Sequence, residues 1–189
     1  MRVRILLLGL GLAAASAASA QTIVTQNVGF AHDCYIYAKA ATDPSDGVEI
    51  CNQAVKLEAL TRKDLAATYD NRGVMLDQLG RNDQAGEDFR MSMSLDPGLG
   101  DPYVNLGVTL IKNRQYSQSL DQINKGLDLG MSFPHIGYYD RAIAEEMMGR
   151  YKEAYYDFKK VLEIEPGYAQ ATERLKDFTV TRVPANSPG

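Results

Sequence analysis

Tyr69, Tyr103 and Tyr138 are each followed four residues later by a small residue, Gly73, Gly107 and Ala142, and the steps between them are 34 and 35 residues. A period of that length holds two short helices and their turns. Each unit is too small to bury its apolar face alone, so successive units must stack into one continuous core. This repeat constrains the chain more than any other feature. It predicts an all-α solenoid of antiparallel helix pairs, which presents an extended concave surface to partners where an enzyme would enclose a pocket.

Further positions keep the same period. The first unit continues with Leu76, Leu79-Gly80, Ala85, Phe89, Ser92 and Asp96-Pro97. The second has Leu110, Ser119, Ile123 and Gly126, and the third has Met148-Gly149, Ala154, Phe158, Val161 and Glu165-Pro166. Each has a mechanical reason. Small residues let two helices approach closely, aromatics fill the wedge beside them, glycine takes the left-handed conformation after a helix, and proline cannot sit in a helix interior. The chain therefore resembles the tetratricopeptide repeat family, over roughly residues 66–166 strictly and 31–180 with degenerate ends. The resemblance implies about three full repeats, near 66–99, 100–134 and 135–168. A degenerate helical hairpin over 31–64 precedes them and a polar-faced capping helix over 168–180 follows. The second unit departs from the pattern. It lacks the closing proline and reads Gly130-Met131-Ser132-Phe133-Pro134, a one-residue insertion expected to alter how the third unit stacks on the second.

The N-terminus reads differently. Arg2 and Arg4, an apolar run from Ile5 to Ala15 and Ala18-Ser19-Ala20 before Gln21 form a secretory signal over 1–20 with cleavage after Ala20. A membrane anchor is the alternative, but the apolar run is well short of the ~20 residues a spanning helix needs. No cysteine lies near the cleavage site to accept a lipid. These features predict an exported chain, periplasmic or secreted, with no integral span once processed. Residues 21–30 read as a flexible segment and 181–189, with two prolines, as a disordered tail.

Cys34 and Cys51 are the only cysteines. Helical stretches near 31–41 and 45–57 flank the turn Thr42-Asp43-Pro44-Ser45. Antiparallel pairing about that turn sets Ala31 opposite Ala54, Cys34 opposite Cys51 and Ala38 opposite Gly47. In an oxidising compartment the pair is expected to form a disulfide closing 16 intervening residues, worth ~3 kcal/mol in the chain-entropy account. Two buried thiols, or a metal held with His32, are the alternatives. His32 lies two residues from Cys34 and so points to another side of the helix. From this hairpin to the next unit the register exceeds 34 residues, which predicts extra residues between Ala59 and Asp64.

Chemistry-bearing motifs are scarce. The chain has two histidines, His32 and His135, and no phosphate loop, serine elbow or cysteine-histidine spacing of a known kind. Glu145 and Glu146 read as ordinary helix residues. No catalytic residue, metal site or cofactor is expected. Without Arg2 and Arg4 the chain has 18 basic against 24 acidic residues, a formal net charge of −6, with the basic residues scattered. That balance disfavours nucleic acid as a partner.

In proteins of the family resembled, the first helix of each unit lines the concave groove. Carried over residue by residue, this selects Asp70, Asn71, Val74, Asp77 and Gln78, then Val104, Asn105, Val108, Ile111 and Lys112, then Tyr139, Asp140, Ile143, Glu146 and Met147. Val108, Ile111 and Ile143 fit the groove and the core equally well. Tyr139, Val104, Ile111 and Met147 are the expected anchors for a partner, with Asn71, Asn105 and Asp140 available to bond its backbone. Some members clamp a peptide carboxylate with basic side chains at these places, but Asp70, Val74 and Asp140 stand here and the clamp is absent. The resemblance implies a non-catalytic scaffold binding a peptide or helix of a protein partner. A permanent subunit of a cell-envelope complex and a hydrolase with an unrecognised site are the alternatives.

Overall fold

A computed structural model describes residues 29–41 and 43–179. The signal reading at 1–20, most of the segment 21–30 and the tail 181–189 lie outside the described residues. Within them the chain forms α1 (Phe30–Ala40), α2 (Pro44–Leu57), α3 (Arg62–Gln78), α4 (Asn82–Leu95), α5 (Asp101–Lys112), α6 (Tyr116–Leu129), α7 (Pro134–Met147), α8 (Tyr151–Ile164) and α9 (Ala169–Leu175), with no strand among the described residues. Consecutive helices pair into hairpins, and each hairpin packs on the next to give an all-α solenoid.

Close packing within each hairpin follows from the small residues. A Cβ on Gly73 would fall 2.5 Å from Phe89 Cε1, and one on Gly107 would fall 2.4 Å from Ile123 Cγ1. Phe89, Ile123 and Phe158 are accordingly buried where the second helix of each hairpin meets the first. Glycine opens the turn as well: Gly80 (φ 72°) and Gly149 (φ 73°) take the left-handed conformation. There the N–H of Arg81 and of Arg150 reach back to the carbonyls of Leu76 and Glu145, both at 2.9 Å, which closes the helix C-terminus.

The N-terminal hairpin is stapled by a Cys34–Cys51 disulfide, Sγ to Sγ 2.06 Å, and both cysteines are fully buried. Glu58, at the end of α2, accepts the N–H of Phe30 and of Ala31 and so caps α1 from outside. The extra residues expected before Asp64 do not form a longer loop. They add a turn to the N-terminus of α3, where the Thr61 side chain accepts the Asp64 N–H at 3.2 Å.

One expectation needs revision. The capping helix ends at Leu175, because the chain then turns to set Phe178 against Tyr155 (5.8 Å) and Phe158 (6.0 Å), and aromatic burial outweighs another helical turn. The insertion at Gly130 is taken up in the turn between α6 and α7, and α7 packs on α6. Gly130 absorbs it at φ 82°, Asp101 takes the Ser132 N–H at 3.1 Å, and Arg141 of α7 still reaches back to Asn124 of α6.

Candidate functional site

The helices expected to line the groove lie side by side, α3 against α5 and α5 against α7, and α9 reaches α7 through Arg174. Residues one repeat apart fall in rows across these helices. One row is polar: Asn71, Asn105, Asp140 and, one period further, Arg174. A second is aliphatic: Val74, Val108 and Ile143. All seven are half-buried, with Ile111 half-buried and Met147 exposed (55%) beside them. Val74 and Ile143 also rest on the core clusters below them, so their side chains serve both core and face.

Two of the expected groove residues lie in the interior. Val104 is 1% exposed; it fills the space left by Gly126, where a Cβ would fall 2.6 Å from Val104 Cγ2. It is a core residue and cannot anchor a partner. Asp70, 8% exposed, lies beneath the face and accepts from Asn105 Nδ2 at 2.9 Å. Burial pushes its pKa up to about 7 against the opposing hydrogen bond from Asn105, so it acts as a link between α3 and α5 and not as a contact for a ligand. Tyr139 has two roles. Its ring packs edge-on against Phe158 (5.6 Å) and tilts against Tyr168 (5.4 Å), and it also borders an open cleft of about 430 Å³ with Gln170, Glu173, Arg174 and Asp177.

The remaining charges pair across helices. Lys112 of α5 bonds Asp77 of α3, and Arg174 of α9 bonds Glu146 of α7 at 3.4 Å. Asp140 is the exception: neither carboxylate oxygen accepts a hydrogen bond from the described residues. Burial pushes its pKa up to about 7, with the Lys112 charge pulling the other way. The Asp140 charge in turn adds to the burial that raises the Tyr168 phenol. Tyr168 and Arg174 fall in the span expected as the capping helix, 168–180, and outside the expected groove set. The signal for Arg174 was present, since one more period beyond Asp140 lands on it.

A different polar network holds the hairpins together from within. Arg72 makes two bonds to Asp88, both 2.7 Å, and one to Asn52 of the preceding hairpin at 2.8 Å, with the Tyr69 ring 5.1 Å from its guanidinium. Arg141 repeats this with Asp157 (2.6 and 2.8 Å), Asn124 (2.8 Å) and Tyr138 (5.1 Å). These arginines are structural buttresses. Among the described residues no group of three or more His, Cys, Asp or Glu side chains converges as a metal site, and no helix is long and apolar enough to cross a membrane.

Known proteins match this architecture. Tetratricopeptide repeat models match residues 66–98 and 135–168. A protein named as a lipoprotein NlpI homolog of Haemophilus influenzae is 28% identical over 109 residues, 57% of this chain and 34% of its own length. The small glutamine-rich tetratricopeptide repeat-containing protein 2 of Mycosarcoma maydis is 25% identical over 95 residues, 50% of this chain and 26% of its own. The chain thus spans about a third or less of these relatives. Among solved structures, MamA superposes with a TM-score of 0.60 at 18% identity, covering 72% of this chain and 77% of that one. The first tetratricopeptide domain of Spaghetti (RPAP3), bound to the HSP90 peptide SRMEEVD, superposes with a TM-score of 0.58 at 22% identity, covering 60% and 92%. Two units of this chain are thus matched as tetratricopeptide repeats, and its all-α solenoid is a tetratricopeptide repeat fold.

Proposed function

We propose that this chain is a non-catalytic scaffold that captures a segment of a partner protein on its concave face. The observation that carries this reading is the pair of parallel rows, Asn71-Asn105-Asp140 beside Val74-Val108-Ile143. A ligand laid across α3, α5 and α7 would meet hydrogen-bonding groups and aliphatic surface at every step. Apolar burial contributes ~25 cal/mol per Å², and the polar row sets the register. The RPAP3 domain, whose fold is similar, holds a peptide, which supports a peptide-like ligand here. Ile111 and Met147 replace Val104 as anchors because they remain accessible.

The test is selection of binders from a phage-displayed random peptide library, followed by Val108→Asp and Met147→Asp. Both variants are expected to keep the helical circular-dichroism signal and melting temperature and to lose the selected peptides. Retained binding would place the ligand on another face.

We also infer export, with cleavage after Ala20. The bridged Cys34 and Cys51 fit an oxidising compartment, and the Haemophilus relative is named a lipoprotein. N-terminal sequencing of protein taken from its compartment should begin at Gln21; an intact Met1 would overturn the assignment.

A further inference from the structure

The charges on the concave face do not balance, and the imbalance says what a ligand must bring. Lys112 is engaged by Asp77, Arg174 by Glu146, and Lys176 by Glu173 at 2.6 Å. Every cation on this face is therefore neutralised by a carboxylate of its own. Asp70 is satisfied by Asn105. Asp140 accepts no hydrogen bond among the described residues, and the cation whose charge reaches it, Lys112, is already bonded to Asp77. It stands in the polar row, one helical turn from Ile143 of the aliphatic row, and the adjoining residue Tyr139 borders a cleft whose cations, Arg174 and Lys176, are bonded to Glu146 and Glu173, leaving Asp177.

A half-buried carboxylate without a partner costs free energy, and a cation delivered to it recovers that cost. Tyrosine rings beside such a carboxylate add further attraction for a cation, because their faces are electron-rich. The Tyr168 ring, 5.4 Å from that of Tyr139, lies near enough for the Asp140 charge to act on its phenol. The surrounding aliphatic surface excludes water and strengthens any ion pair formed there.

We propose that the partner segment is cationic and aliphatic: a lysine or arginine pairs with Asp140, while flanking Leu, Ile or Val side chains cover Val108 and Ile143. This deepens the concave-face reading and rests on it. It sets this chain apart from the RPAP3 domain, whose peptide SRMEEVD carries three acidic residues that would meet like charge here.

The experiment compares selections from a random twelve-residue phage library on the purified chain and on Asp140→Asn. Peptides from the unaltered chain should share one Lys or Arg flanked by aliphatic residues. Those from Asp140→Asn should keep the aliphatic preference and lose the basic position. In calorimetry with the best synthetic peptide, Asp140→Asn and replacement of the peptide lysine by norleucine should each weaken binding about tenfold, and together no more than either alone. SRMEEVD should not bind. If Asp140→Asn fails to fold, the norleucine exchange on the unaltered chain still reads the coupling. Selected peptides that are acidic, or carry no charge preference, overturn the cationic partner and leave the scaffold reading standing. Failure to select any peptide overturns both.

Discussion

The first and third units tie their helices together with charge, whereas the middle unit does so with close apolar contact. Where Arg72 and Arg141 stand, the middle unit has Leu106; where Asp88 and Asp157 stand, it has Gln122; where α6 offers Asn124, α4 offers Arg90. Leu106 instead joins the apolar core over Gly86. The middle unit also approaches more closely at its base. Gly126 sits where the others carry Ser92 and Val161, and a Cβ on it would fall 2.6 Å from the Gly100 carbonyl oxygen. The same hairpin is thus reached by two physical routes. A half-buried, bidentate ion pair is held by geometry and fails when one partner is lost. A glycine contact has no polar partner to lose, but it tolerates no added atom.

The largest effect should come from giving the middle unit the third unit's residue. Gly126→Val would drive side-chain atoms into the Gly100 backbone and Val104, and should destabilise by roughly 3 kcal/mol or more. Chemical denaturation would read this, and a loss under 1 kcal/mol would mean the close approach is not a constraint.

Next is the reverse exchange. Arg72→Leu leaves Asp88 buried and unpaired and should cost about 2–3 kcal/mol, while Arg72→Leu with Asp88→Gln, which copies the middle unit, should recover most of it. If the double variant is no better than the single one, the two routes are not interchangeable.

A third exchange concerns Glu145, which occupies the place of Leu76 and Leu110. Burial raises its pKa to about 7, with Asp157 next in effect and Arg141 opposing. A carboxyl whose folded pKa lies above its unfolded value costs stability as pH rises from the unfolded value toward the folded one. The native chain should therefore melt lower at pH 8 than at pH 5, with Asp70 and Asp140, both also raised to about 7, adding in the same direction. Glu145→Leu should stabilise by about 1 kcal/mol through apolar burial and flatten that pH dependence. An unchanged pH profile would show that Glu145 ionises freely.

The smallest effect is at the turn. Arg114 takes φ 59° at the place held by Gly80 and Gly149, yet the helix closes in the same way, with Gln115 N–H on the Leu110 carbonyl at 2.8 Å. Arg114→Gly should stabilise by about 0.5 kcal/mol by relieving the left-handed strain. A loss of stability would mean that the entropy of the added glycine outweighs it.

Much of this was legible because repeats announce themselves. Tyr69, Gly73, Phe89 and their counterparts recur at one period, and the facing small residues around Cys34 and Cys51 follow from antiparallel pairing alone. The face of the solenoid was harder to read. Successive helix residues are turned by about 100°, so Val104 and Asn105 point to different surroundings, and only the neighbour decides which is covered. Gly126 draws α6 onto Val104, which puts that valine in the core, while Asn105 turns down to Asp70.

The sequence by itself determined the helices, their pairing into hairpins and the opposed cysteines, because each rests on spacing or residue type within one or two turns. Only the tertiary structure decided that Val104 and Asp70 are interior, that Tyr139 is both core and rim, and that Asp140 accepts no hydrogen bond among the described residues. Those outcomes depend on distances between side chains on different helices. A shift of one or two ångströms between packed helices decides whether a side chain meets a neighbour or solvent, and no pattern along the chain encodes that shift.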